Sequence, residues 1–223
     1  MVNKIEPEQI IQHYPKIYHM AESGSWKSIK RYGLLSTSAL LDLFEINGQK
    51  RFKIESKQRR ENVTIEHPDY GMAVIRDQKP LSESALHKVI DGMSTTEYYE
   101  LLNHMTFFWA RRERLERLLN ARAYKNKTHT VLTINTAKLL ERHQEEVWLA
   151  HINSGAFFGK GRRGVQTFKR IKDYPFEEIK KKKKENAIVE IAVDYAVKDI
   201  QELTIRVEEW KESKPICTIW NRN

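Results

Sequence analysis

Three positions in this chain sit badly with the pattern around them, and such conflicts gather at functional sites. Glu190 stands inside NAIVEIAV (186–193), a run that reads as a buried strand, on the face shared by Ile188 and Ala192. A carboxylate there is costly unless it is paired or faces a cleft. It is a candidate catalytic base or ribose ligand, with an ion pair to one of the 39 basic residues as the structural alternative. Arg111 and Arg112 fall at the start of the helix RRERLERLLNAR. There they face the positive end of the helix dipole, which costs about 0.3–1 kcal/mol each unless an anion compensates. Free backbone N–H groups beside a forked arginine suit a phosphate or pyrophosphate, while Glu113, Glu116 or a more distant carboxylate are the structural alternative. His19 lies in IYHMA between Tyr18 and Met20, either as a ligand or as a hydrogen-bonded core residue.

Other chemistries lack their signatures. His13 and His19 are six residues apart and His143 and His151 eight apart, so no metal spacing occurs and no metal is expected. Dinucleotide-fold GxGxxG, phosphate-loop GxxxxGK[ST] and hydrolase GxSxG patterns do not occur. The glycine-rich segment NSGAFFGKGRRG (153–164) combines Arg162, Arg163 and Phe158 on flexible backbone, as surfaces for single-stranded nucleic acid do.

The elements that must position these residues can be read from periodicity. PEQIIQHY predicts a short helix, KIYHMA (16–21) a strand, and WKSIKRY a helix stopped by Gly33. LLSTSALLDLF continues as an amphipathic helix with Ser36 or Thr37 as its cap, and residues 45–70 look like a polar, aperiodic excursion. GMAVI reads as a strand, SESALHKVI and STTEYYELLN as helices, and HMTFFWA (104–110) as an aromatic strand feeding the Arg111–Arg112 helix. THTVLTIN and EEVWLAHI are strands around the helix TAKLLERH, EEIKKKKKE is a solvated helix or linker, and ELTIRVEEW and PICTIW add further strands. Strands and helices mix without a βαβ rhythm, which favours α+β.

Composition sets the frame. The 223 residues carry a net charge of +9 and an apolar share of 40%, enough for a sizeable core and suited to an anionic partner. They are expected to form one domain. The single Cys217 forms no internal disulfide, no apolar run approaches ~18 residues and MVNKIEPEQI lacks a signal core. A cytoplasmic protein without a membrane partner is the corresponding expectation.

In order along the chain, the histidine on an early strand, the arginine after an aromatic strand and the glutamate on a late strand resemble the ADP-ribosyltransferase fold, most closely the DarT-type DNA ADP-ribosyltransferases. IYHMAESGSWKSIKRYGLLS resembles their opening strand ending Tyr-His with a helix and Gly-Leu-Leu, and FFWARR their Phe-Tyr-Phe-x-x-Arg. The loop with Asn153 and Ala156 resembles their Asn-Ala-Ala loop, and AIVEIAVDYAVKDIQELTIRV their closing segment. Three departures stand out: Arg112 is followed by Glu113 rather than Ser-Pro-Met, AVKDI lacks the usual proline, and residues 45–104 have no counterpart. The chain also resembles a group of uncharacterised bacterial proteins sharing LLSTSALLD and FFW-containing segments.

The resemblance implies a split pair of small β-sheets with flanking helices, forming a cleft for NAD as substrate. In that cleft Glu190 and His19 would be catalytic, and His19, Arg112, Tyr18, Phe108 and Asn153 would hold NAD with Arg112 on the pyrophosphate. Arg162, Arg163 and Phe158 would meet the acceptor. It implies an NAD-dependent, toxin-like transferase with nucleic acid as acceptor, single-stranded DNA or RNA, and an antitoxin or ADP-ribose-removing partner. NAD hydrolysis uses the same residues, and a non-catalytic nucleic-acid-binding protein on this scaffold is a further alternative. RNA 2′-phosphotransfer would demand more arginines around the acceptor phosphate than the sequence places.

Overall fold

The computed structural model describes residues 5–79, 82–156 and 161–222. Helix α1 (Pro7–His13) begins with proline at its first position, and Glu6 and Gln9 close a reciprocal capping box. Strand β1 (Lys16–Glu22) follows, then α2 (Trp26–Tyr32), which ends at Gly33 as its sequence predicts. Gly33 has φ of 90°, and a β-carbon on it would lie 2.7 Å from the Cα of Lys198, so the turn needs glycine twice over. LLSTSALLDLF does not form the one helix expected. Leu34–Leu35 make β2, and α3 (Thr37–Leu43) starts behind Ser36, whose side-chain oxygen accepts the Ala39 N–H.

Residues 45–70, expected to be an exposed excursion, instead form α4 (Gly48–Glu55) and β3 (Val63–His67), which pairs as a hairpin with β4 (Gly71–Ile75), the strand expected of GMAVI. Apolar residues here are few, but Ile46, Ile54, Ile65 and Ile75 pack with Leu41 and Phe44 in a core of their own. Ser82 caps α5 (Glu83–Val89), which leads into β5 (Ile90–Asp91), and Ser94 with Glu97 closes a capping box on α6 (Thr95–Asn103). Then come β6 (Met105–Trp109), α7 (Arg112–Leu119), β7 (His129–Asn135), α8 (Thr136–His143) and β8 (Val147–Ala150). The chain continues through β9 (Arg163–Gly164), β10 (Lys169–Arg170), α9 (Phe176–Lys183), β11 (Glu190–Asp194), β12 (Ala196–Val197), α10 (Ile200–Leu203), β13 (Thr204–Lys211) and β14 (Lys214–Asn221).

Eight strands form one antiparallel sheet in the order β10-β8-β11-β6-β1-β7-β13-β14. The pairs β2–β12, β3–β4 and β5–β9 stand apart from it. Side chains alternate between two covered faces: Ile191 and Val193 of β11 join residues of α1, α2, α8 and α10, whereas Ala192 meets α6. The architecture is α+β, as expected. The two small sheets of the expectation are replaced by one large sheet that is pinched at its centre. Strand β1 pairs β7 from Lys16↔Asn135 to Glu22↔His129, and β6 pairs β11 from Met105↔Asp194 to Trp109↔Glu190. Between β1 and β6 the register is Tyr18↔Trp109 alone. Past that point each half keeps its own ladder, and backbone groups facing the gap need other partners.

Candidate functional site

His19 fills the place where the β1–β6 ladder stops. Its Nδ1 lies 2.8 Å from the carbonyl oxygen of Phe107, so Nδ1–H donates and Nε2 is left as an acceptor. Desolvation holds the imidazole near pKa 4, with the charge of Arg76 acting the same way and the Phe107 hydrogen bond opposing both. The ring is neutral at physiological pH. Its edge meets Phe108, 5.8 Å between ring centroids.

A cavity of about 560 Å³ opens at this gap, and its wall includes His19, Phe108, Asn153, Ser154 and Glu190. That volume suits a ligand of cofactor size. Glu190 is the first residue of β11 rather than a mid-strand residue, because the ladder on its N-terminal side is irregular: Val189 bonds Ala150 through its N–H and Ala110 through its carbonyl. The carboxylate is 5% exposed and accepts the Ser154 N–H at 3.0 Å. Burial pushes it up to about 7, against the pull of Ser154 and of the positive charges of Arg163 and Arg114. It therefore exchanges its proton near neutrality, the range that suits a general base.

The loop beside Glu190 is tied from within. The Arg163 guanidinium donates through Nη2 to the carbonyls of Asn153 (2.9 Å) and Ala156 (3.0 Å), and through Nη1 to that of Gly161 (2.9 Å). Tyr98 donates its hydroxyl to the Ser154 carbonyl at 3.1 Å. Gly164, with φ of 138°, lets β9 approach β5: a β-carbon there would lie 1.9 Å from the Asp91 carbonyl oxygen. Arg163 is thus a buried clamp on the loop and not a surface contact for an acceptor, because the loop carbonyls use its donors. Arg162 is exposed and pairs with Asp91 at 3.1 Å. Phe158 lies outside the described residues.

The expected opposition of Glu190 and Arg112 across one groove is not what the chain builds. Arg112 does not line the cavity. Its Nε donates to Glu116 at 2.8 Å, and its guanidinium stacks 4.9 Å from the centre of the Trp210 ring. Arg111 is likewise satisfied by Glu185 at 3.0 Å and Glu113 at 3.4 Å. The anions that the dipole conflict called for come from neighbouring carboxylates. Tyr18 also lies off the cavity, packed with Trp109 and Leu118 against the Met20–Leu115 cluster.

Ser154, Arg59, Arg76 and Asp77 are among the wall residues that escape the sequence reading. Arg59 and Arg76 flank the β3–β4 hairpin and look in the sequence like two more charges in a polar stretch. Their signal is the alternation of VTIEH and GMAVI, which marks a hairpin that must pack on something. Among the described residues no group of three His, Cys, Asp or Glu side chains is disposed to hold a metal ion, and no helix is long and apolar enough to cross a membrane.

A family model matches residues 15–204, from the residue before β1 to the first residue of β13. The chain belongs to DUF7002, a family of unknown function. The DUF7002 span takes in every cavity residue named above. No curated protein matches the chain.

Proposed function

We propose that this chain is an NAD-dependent ADP-ribosyltransferase with the cavity between β1 and β6 as its active site. One observation carries the reading: two polar groups far apart in sequence, a neutral His19 and a Glu190 with a proton affinity near neutrality, line one cavity at the pinch of the central sheet. The pinch supplies the kind of gap between sheet halves that the resemblance implies.

His19 Nε2 would accept a ribose hydroxyl, its tautomer being fixed by the Phe107 carbonyl. The Glu190 carboxylate would take the hydroxyl of the nicotinamide ribose and stabilise positive charge developing at C1′ as the bond to nicotinamide breaks. The acceptor nucleophile then bonds C1′ and gives its proton to Glu190, and nicotinamide leaves as a neutral molecule. General-base help of this kind contributes about 10²–10⁴ in rate. Ser154 and the Arg163-clamped loop would hold the carboxylate in place. The net charge of +9 and the exposed Lys181–Lys184 at the end of α9 support nucleic acid as the acceptor.

The test is incubation with NAD and with single-stranded DNA, RNA or no acceptor, following nicotinamide release and the mass of the acceptor. Release that depends on Glu190, with an added ADP-ribose mass on nucleic acid, is the expected result. Release without a modified acceptor assigns hydrolysis instead. No release above background, or release undiminished in Glu190→Gln, overturns the reading.

A further inference from the structure

Two guanidinium groups reach the cavity from the segment that contains the β3–β4 hairpin, and they differ in how they are satisfied. Arg59 is 7% exposed and engaged on several sides: Nε donates to the Arg76 carbonyl at 3.1 Å, and Nη1 to Asn103 Oδ1 at 2.9 Å and to the Ile54 carbonyl. It ties the end of α4, helix α6 and the main chain after β4 together.

Arg76 is held in place by that tie but is itself left short of partners. Its Nη1 donates to the Met20 carbonyl at 3.3 Å and its guanidinium lies 5.0 Å from the centre of the Tyr124 ring. Its Nε is shut off from solvent, and among the described residues that nitrogen has no hydrogen-bond partner and no carboxylate stands within ion-pair distance of the guanidinium. Glu22 and Asp77 act on it through space only; Asp77 accepts the Tyr124 hydroxyl at 2.7 Å, and Glu22 accepts the Asn62 amide at 3.4 Å. Arg76 is partly exposed at the cavity wall, and a guanidinium placed there without a carboxylate partner is suited to an anion from outside the chain. Met20 follows His19 on β1, so the anion that Arg76 lacks would lie next to the imidazole.

We infer that Arg76, positioned by Arg59, is the binding residue for the diphosphate of a ligand in this cavity, the part expected of Arg112. The identity of that ligand as NAD rests on the reading above; the anion subsite rests on the arginine itself. A forked guanidinium matches phosphoryl oxygens in two-point contact, and one stacked on tyrosine loses little freedom in making it.

Calorimetric titration with ADP-ribose, inorganic pyrophosphate and adenosine tests the assignment, on the unaltered protein and on Arg76→Ala, Arg76→Gln and Arg112→Ala. Arg76→Gln keeps a polar, hydrogen-bonding side chain of similar stem without the charge, and a thermal midpoint within a few degrees of the unaltered protein shows which variants remain folded. Both Arg76 variants are expected to bind ADP-ribose and pyrophosphate about 10-fold or more weakly, with adenosine affinity unchanged and Arg112→Ala like the unaltered protein. Undiminished diphosphate affinity in either folded Arg76 variant, an equal loss in Arg112→Ala, or no diphosphate binding by the unaltered protein overturns the assignment. If the protein binds pyrophosphate through Arg76 yet releases no nicotinamide from NAD, the transfer reading fails and the subsite stands. If it turns NAD over while the Arg76 variants bind diphosphates normally, the reverse holds.

Discussion

Replacing Glu190 by glutamine should make the protein more stable, and more so as the solution becomes alkaline. Burial raises the carboxyl from an ordinary 4.5 to about 7. In the window between those values the folded protein keeps a proton that the unfolded chain releases, so stability falls as pH rises through it. Linkage puts the cost of ionising Glu190 at about 1 kcal/mol at pH 5 and about 3 kcal/mol at pH 8.5, and glutamine avoids it. The Ser154 N–H keeps an acceptor in the variant. For a chain of this length the gain at pH 8.5 is worth roughly 6–12 °C in thermal midpoint. His19 acts in the opposite sense: its depressed value means that stability is lost as pH falls from 6.5 towards 4. Between about pH 4.5 and 6.5 the two slopes cancel in the unaltered protein, and Glu190→Gln uncovers that of His19. Urea denaturation at pH 5, 7 and 8.5 measures all of this. A gain that is the same at pH 5 and 8.5, or a variant less stable at pH 8.5, rules this out, since Glu190 would then ionise at least as freely folded as unfolded.

Three further outcomes follow from the same geometry. Arg112→Ala removes an exposed pair with Glu116 and a stack on Trp210, so denaturation should register a loss of no more than about 1 kcal/mol. Arg163→Ala leaves the Asn153, Ala156 and Gly161 carbonyls without their donor. It should cost at least about 3 kcal/mol by the same assay. Faster hydrogen exchange at 153–156 should accompany it, and unchanged exchange there would show that the loop does not depend on this clamp. His19→Asn keeps a donor for the Phe107 carbonyl but removes the titration, so its thermal midpoint should exceed that of the unaltered protein at pH 5 and match it at pH 7.5.

Much of the fold was legible because its elements carry strong local signals. Gly33 ends α2, Ser36 starts α3, Ser94 with Glu97 starts α6, and alternation marks β1, β6, β7 and β13 close to their observed bounds. The segment after residue 45 was not legible, since its core residues are isoleucines spaced widely among charges and make sense only once α3 is beside them. Glu190 and His19 stood out because each interrupts an apolar strand, and both reach the cavity. Arg112 stood out by the same rule and does not, because a helix-terminal arginine can find Glu116 one turn away while a strand residue has no such local partner. Arg76 was hidden for the complementary reason: its environment is created by Met20, Tyr124 and Arg59, none of them near it in sequence.

Crystals of Glu190→Gln grown with NAD would show where the dinucleotide binds. NAD is expected in the β1–β6 cavity, with a nicotinamide-ribose hydroxyl on the residue 190 side chain and another ribose hydroxyl on His19 Nε2. NAD bound away from both residues, or a cavity that excludes it at saturating concentration, would rule out this cavity as the active site.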